Sequence, residues 1–407
     1  MTSAEGRKQS RGGLAGSLPV LLLAVAACTS EPSPNSTGSG SSGEPNVLAV
    51  SVSGEGCPAF GYLNEPCVSV TVCTPGTSSC QVVPGLLLDT GSTGLRIFRS
   101  ALSKASPMAI TVGSATLAEC VNFLDGSSDW GPVETADVVL GTEPAVRVPI
   151  HVLDSTFGPP PSSCPDPESG PAVPGFNGVL GVAAFAQDCG SDCSGGGYLY
   201  YTCQGGSCTS LPAPSLSQQV TNPVALLPKD NNGVVVELPS VAPSGVASLE
   251  GSLILGIGTR ANNTVSGVAV YPLDPETGEF VTQGAGITVQ GGFADTGSNG
   301  LFFSAPAGSG LADCPSPNQD WFCPTQTVTL TPTILGNGGT PQAAVAFQIE
   351  NFDTLTSGSA NVFPDVGGSE TVAEGFDWGL PFFFGRSVYI GIEGTSSNLG
   401  SGPYVAF

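Results

Sequence analysis

Two short runs in this 407-residue sequence carry the clearest chemical signal. Leu86-Leu87-Leu88-Asp89-Thr90-Gly91-Ser92-Thr93-Gly94-Leu95 returns as Gly292-Phe293-Ala294-Asp295-Thr296-Gly297-Ser298-Asn299-Gly300-Leu301, with six of seven positions identical from the Asp to the Leu. In each copy an apolar run delivers an Asp into a tight turn. Gly is expected there because it permits an unusual backbone conformation, and the Thr and Ser can hydrogen-bond the turn and its carboxylate. If the two turns meet across a pseudo-twofold axis, Asp89 and Asp295 lie side by side. Two carboxylates about 3 Å apart cannot both ionise, so the pair holds one proton. The ionised member can then take a proton from a bound water while the protonated member polarises a carbonyl. This chemistry calls for no histidine, no metal and no cofactor.

The copies stand 206 residues apart, which implies two versions of a domain-sized unit rather than a short solenoid repeat. Composition says what such units are made of. Hydrophobic residues make up 40% and charged residues only 11%, with 57 Gly and 36 Pro, which fits a turn-rich β protein. A single His rules out a multi-histidine zinc site. A Ser-His-Asp triad would have to route through His151, which sits in an alternating apolar run and reads as a strand residue. The formal charge of −23 argues against nucleic acid as a partner.

The N-terminus reads as an export device. Arg7, Lys8 and Arg11 precede the apolar stretch Leu14 to Ala27, which is too short to span a bilayer. Val25-Ala26-Ala27-Cys28 resembles a bacterial lipobox, so residues 1–27 are expected to be a signal peptide and Cys28 the lipidation site. The expected location is the bacterial cell envelope, and Thr29 favours the outer membrane in a Gram-negative host. Residues 28–46, rich in Ser, Gly and Pro, read as a flexible tether to that membrane. Removing the signal takes away three basic residues and Glu5, leaving 7 basic against 32 acidic side chains, which suits solubility or work at low pH.

Setting Cys28 aside leaves twelve cysteines, an even number in an exported chain, so up to six disulfides are expected. Cys314 and Cys323, isolated in their half, are expected to close their own loop; spacing leaves the other pairings open.

The two Asp-Thr-Gly-Ser turns resemble those of the pepsin-like, two-lobed aspartic proteases. Gly178 to Val182 is similar to that family's strand behind the first active-site loop. Gly251 to Gly258 is similar to the opening of the second lobe, and Phe376 to Phe383 and Tyr389 to Ile392 resemble its closing strands. The resemblance implies a mostly-β fold of two pseudo-twofold related lobes around a central cleft, residues 47–225 and 226–407, in a monomer acting on peptide or protein substrates. Residue by residue it implies Asp89 and Asp295 as the catalytic pair, Thr90 and Thr296 as the hydrogen-bonded link beneath it, Ser92 and Ser298 as orienting hydroxyls, and Gly91 and Gly297 as turn residues. The family's flap hairpin corresponds to Cys120 through Gly141, and alternation around a Gly-containing turn supports a hairpin there independently. The sequence departs from the family at two places. Phe123 stands where the flap Tyr is expected, with Trp130 as another candidate flap aromatic, and Arg96 stands where a supporting Trp is expected. Arg96 near the cleft is expected to favour acidic ligands. The implied function is an aspartic endopeptidase; the alternative is a catalytically silent, inhibitor-type or binding lipoprotein on the same scaffold.

Overall fold

The computed structural model describes residues 43–407 except 59–61, 192, 194–198, 213 and 370–374. The expected signal peptide, most of the tether and Cys28 therefore lie outside the described residues.

The regular structure of the described residues is mostly β-strand, with one four-residue α-helix at Phe352–Leu355 and a few short 3-10 turns. It has the mostly-β, two-lobed fold with a central cleft that the repeat implied. Strand Cys80–Asp89 ends in Leu86, Leu87, Leu88 and Asp89, all buried, because it is covered on both faces and has no solvent side to alternate toward. Strand Gly178–Val182 threads behind the first Asp turn. It runs parallel to Cys80–Asp89, with Gly181 opposite Asp89, and antiparallel to Thr93–Phe98. The second half repeats the motif: Gly375–Trp378 runs parallel to Ile287–Ala294 and antiparallel to Leu301–Phe303. Each Asp thus emerges from a three-strand weave that fixes its backbone from both sides.

The halves are stitched by shared strands. Val47–Val52 pairs with Leu249–Leu255, which pairs with Gly233–Leu238, and that strand pairs with Arg386–Gly391. Behind the second Asp turn, Phe303 stacks on Phe376 and Phe376 on Trp378, whose ring meets Phe382 edge-on. The Phe302-Phe303 and Phe382-Phe383-Phe384 runs are consequently core, not a binding surface.

Twelve cysteines form six disulfides: Cys57–Cys67, Cys73–Cys80, Cys120–Cys164, Cys189–Cys193, Cys203–Cys208 and Cys314–Cys323. The last closes its own loop, as expected.

Candidate active site

The weave brings the two turns face to face. Thr90 and Thr296 are bonded crosswise. The Thr90 amide donates to Thr296 Oγ1 (3.1 Å) and the Thr296 amide to Thr90 Oγ1 (3.0 Å), while each hydroxyl donates across to the other strand, Thr90 to the Ala294 carbonyl (2.9 Å) and Thr296 to the Leu88 carbonyl (2.7 Å). All four bonds are buried. Thr90→Val removes both the acceptor of the Thr296 amide and the donor to Ala294. Leaving such groups unpaired costs about 1–3 kcal/mol each, and the account expects a loss of about 2–4 kcal/mol in denaturant unfolding.

Asp89 and Asp295 sit on this link. Asp89 Oδ1 accepts from the Gly91 and Ser92 amides (2.7 and 3.1 Å) and its Oδ2 from the Ser92 hydroxyl (2.6 Å). Asp295 repeats the pattern with the Gly297 amide (2.7 Å) and the Ser298 hydroxyl (2.9 Å). The two glycines are needed for closeness rather than for the backbone conformation anticipated from the turn, since neither has a positive φ. A Cβ on Gly91 would lie 2.6 Å from Asp295 Cγ, and one on Gly297 would lie 2.9 Å from Asp89 Cγ. Gly91→Ala is therefore expected to force the carboxylates apart. It should abolish their proton sharing and lower the melting temperature, which a thermal scan checks.

Both carboxylates are buried. Burial, first, and then the negative charge of Asp89 push Asp295 well above the ordinary carboxylate range, with Asp377 adding to the effect. A pair so placed is expected to share one proton between its two carboxyls.

Asp377 carried no sequence motif. It lies opposite Phe293 in the parallel pairing, two residues before Asp295, so strand alternation puts it on Asp295's face. The signal that could have found it is the internal repeat itself, since the corresponding residue behind the first turn is the apolar Val179, opposite Leu87.

The flap segment forms a hairpin, Ala115–Asn122 against Ser128–Val139, closed by the pair Asn122 and Ser128. Phe123, at its tip, is buried. Trp130 pairs with Cys120 on the outer face, away from the cleft. It packs edge-on against Tyr201 and donates its indole N–H to the Phe157 carbonyl (2.6 Å). Strand Tyr200–Gln204 pairs along the hairpin's outer edge and the Cys120–Cys164 disulfide ties it down, features the sequence did not disclose. Beneath the hairpin a cavity runs between the lobes, from Thr90–Thr93 and Val121 on one side to Glu279, Phe280 and Phe293 on the other.

Arg96 does border this cavity, but the expectation that it favours acidic ligands is corrected. The side chain is 1% exposed and its charge is answered internally, by Glu119 at 3.3 Å and Asp188 at 3.5 Å. His151 lies in strand Val146–Leu153, fully buried, its Nδ1 3.5 Å from Glu119. Burial and the nearby Arg96 charge hold it neutral.

A family model described as "protein of unknown function (DUF3443)" matches residues 42–407. The chain belongs to the DUF3443 family. No curated protein sequence matches this DUF3443 member. Among solved structures it is similar to an aspartic proteinase from Irpex lacteus, at 17% sequence identity and a TM-score of 0.49, over 88% of this chain and 96% of that one.

Proposed function

We propose that this protein is an aspartic-type endopeptidase, exported and held at the cell envelope by lipid on Cys28. The observation that supports it is the pair of Asp-Thr-Gly-Ser turns locked together by reciprocal threonine bonds, with two buried carboxyls side by side. In this reading Asp89, the ionised member, takes a proton from a water held between the two carboxylates. That water attacks the peptide carbonyl, and Asp295 donates a hydrogen bond to the carbonyl oxygen as negative charge develops there. Collapse of the tetrahedral intermediate passes a proton to the leaving amine and restores the starting pair. Ser92 and Ser298 hold the outer oxygens, so the inner ones face the water. Each carboxyl must be in a different protonation state, so the rate should be bell-shaped in pH.

The test is incubation of the soluble mature chain with a diverse peptide mixture from acidic to neutral pH, with and without a statine-type transition-state mimic. Cleavage that the mimic suppresses supports the proposal. No cleavage at any pH removes it.

One observation favours a second reading, a cleft kept for binding. The hairpin over the cavity is pinned by a disulfide and by an added strand rather than hanging free. A peptide bound without being cleaved would select that reading.

A further inference from the structure

The cluster around Arg96 joins four segments of the first lobe. Arg96 lies on Thr93–Phe98, directly after the first Asp turn, and its Nη1 donates to the Thr93 carbonyl at 2.8 Å. Glu119 lies on the first flap strand. There Cys120 and Trp130 face outward, so alternation puts buried Glu119 on the same face as Val121, which lines the cavity. Asp188 follows the threading strand, and its Oδ1 accepts from the Tyr200 hydroxyl (2.6 Å), which itself accepts from the Val220 amide (2.7 Å). Tyr200 pairs with Glu119 across the outer edge of the flap. At the matching position after the second Asp turn stands Phe302, so the repeat alone does not call for this cluster.

Its charges do not balance by themselves. Two carboxyls share one guanidinium, with side chains at most 4% exposed, and each carboxyl lies close enough to feel the other's charge. With both ionised, the buried cluster carries a net negative charge; one added proton makes it neutral.

We propose that Arg96, Glu119 and Asp188 form an acid-dependent clasp, which holds the flap strand Ala115–Asn122 against the catalytic-loop strand while one of the two carboxyls is protonated and loosens when both are ionised. The Cys120–Cys164 disulfide fixes the outer face of the hairpin; the clasp governs the inner one. Burial holds both carboxyls above their usual range, in keeping with one proton shared between them. Among the described residues, the other charged groups on elements packed here are Asp89, Asp129, Glu168, Glu279 and Glu393, together with Glu134 and Asp137. These last two are answered by Arg99 (2.6 Å) and Arg147 (2.8 Å). The remaining acids all favour retention of the proton, whereas His151 is neutral and adds no second cation.

The clasp concerns the flap of the proposed peptidase and in that sense rests on that reading, yet its test reads the hairpin and not hydrolysis. Amide hydrogen exchange of residues 115–139 in the mature chain, corrected for intrinsic rates, is followed from mildly acidic to mildly alkaline pH. The interlobe strands Val47–Val52 and Leu249–Leu255 serve as internal reference. The expected result is a loss of flap protection of at least about tenfold relative to the reference as pH rises. Glu119→Gln, neutral at every pH, and Asp188→Asn, which leaves one acid facing one guanidinium, should each abolish that loss. Unchanged protection in the parent chain, or the same loss persisting in both variants, overturns the clasp. A protein that shows the clasp but cleaves no peptide keeps this inference and discards the peptidase.

Discussion

Asp89→Asn and Asp295→Asn should each reduce peptide hydrolysis by about a thousandfold or more, with little change in fold. Removing a positioned general acid or base costs on the order of 10² to 10⁴ in rate, and here each Asp is half of a unit that cannot act alone. The amide keeps the shape of the carboxyl: its oxygen can still accept from the Gly91 or Gly297 amide, its NH2 can donate to a Ser92 or Ser298 hydroxyl turned to accept, and the link through Thr90 and Thr296 does not involve it. What is lost is the capacity to hold one charge and one proton. The two variants should fail alike, although the parent residues differ in protonation, because the water needs both. Near-native thermal unfolding with abolished cleavage of the peptide mixture is the expected pair of measurements. A variant that retains cleavage places the chemistry elsewhere.

The second large effect concerns stability and lies outside the cleft. Glu65 is fully buried, and neither of its oxygens has a well-formed hydrogen bond, the Tyr62 amide being the donor nearest to supplying one. Burial raises its pKa from 4.5 to about 8. The folded state therefore binds a proton that the unfolded chain releases above pH 4.5. Stability is highest below that pH, falls by about 1.4 kcal/mol per pH unit as pH rises toward 8, and levels off beyond. Asp365, raised to about 6 by burial, adds to the same slope over a narrower range. Glu65→Gln should remove Glu65's own share of the slope, about 1.4 kcal/mol per pH unit, and stabilise the protein at pH 8 by about 3–5 kcal/mol, with a small loss at pH 5. Denaturant unfolding with the disulfides intact reads this directly, and an unchanged slope in the variant contradicts it. The position matters to the site as well. The neighbouring Asn64 donates to the carbonyls of Asn299 and Phe363 (2.9 Å each) and accepts from the Phe363 amide (2.8 Å), joining the first lobe to the residue after Ser298. A charge forced onto Glu65 acts next to that joint. A protein built this way is most stable in acid, where the proposed chemistry runs.

The two Asp turns were legible because each is a contiguous motif present twice, and repetition is a signal a single sequence carries. The threading strands, Gly178 to Val182 and Phe376 to Trp378, were legible only through the resemblance to the aspartic proteases, since their own sequences are short and share little beyond apolar residues. The flap hairpin followed from alternation about a turn. Its anchoring did not, because the pairing of Tyr200–Gln204 with it and the bridge from Cys120 to Cys164 join residues far apart in the chain. Arg96 stood out by type, yet its role could not be read, since Glu119 and Asp188 lie 23 and 92 residues away and only the fold gathers them. Gly91 and Gly297 were rightly singled out for the wrong physical reason: the demand on them comes from the carboxylate of the opposite lobe, which no local pattern encodes. Asp377 could be singled out only by setting it against Val179 in the other copy, and Glu65 was invisible because an isolated acid has the same letter whether buried or exposed.

The most direct test of the account is neutron diffraction from deuterium-exchanged crystals grown at mildly acidic pH. A single deuteron bound between Asp89 and Asp295, on the Asp295 side, is the predicted result. Two deuterons, none, or carboxyls turned apart so that no deuteron or water is shared would contradict it.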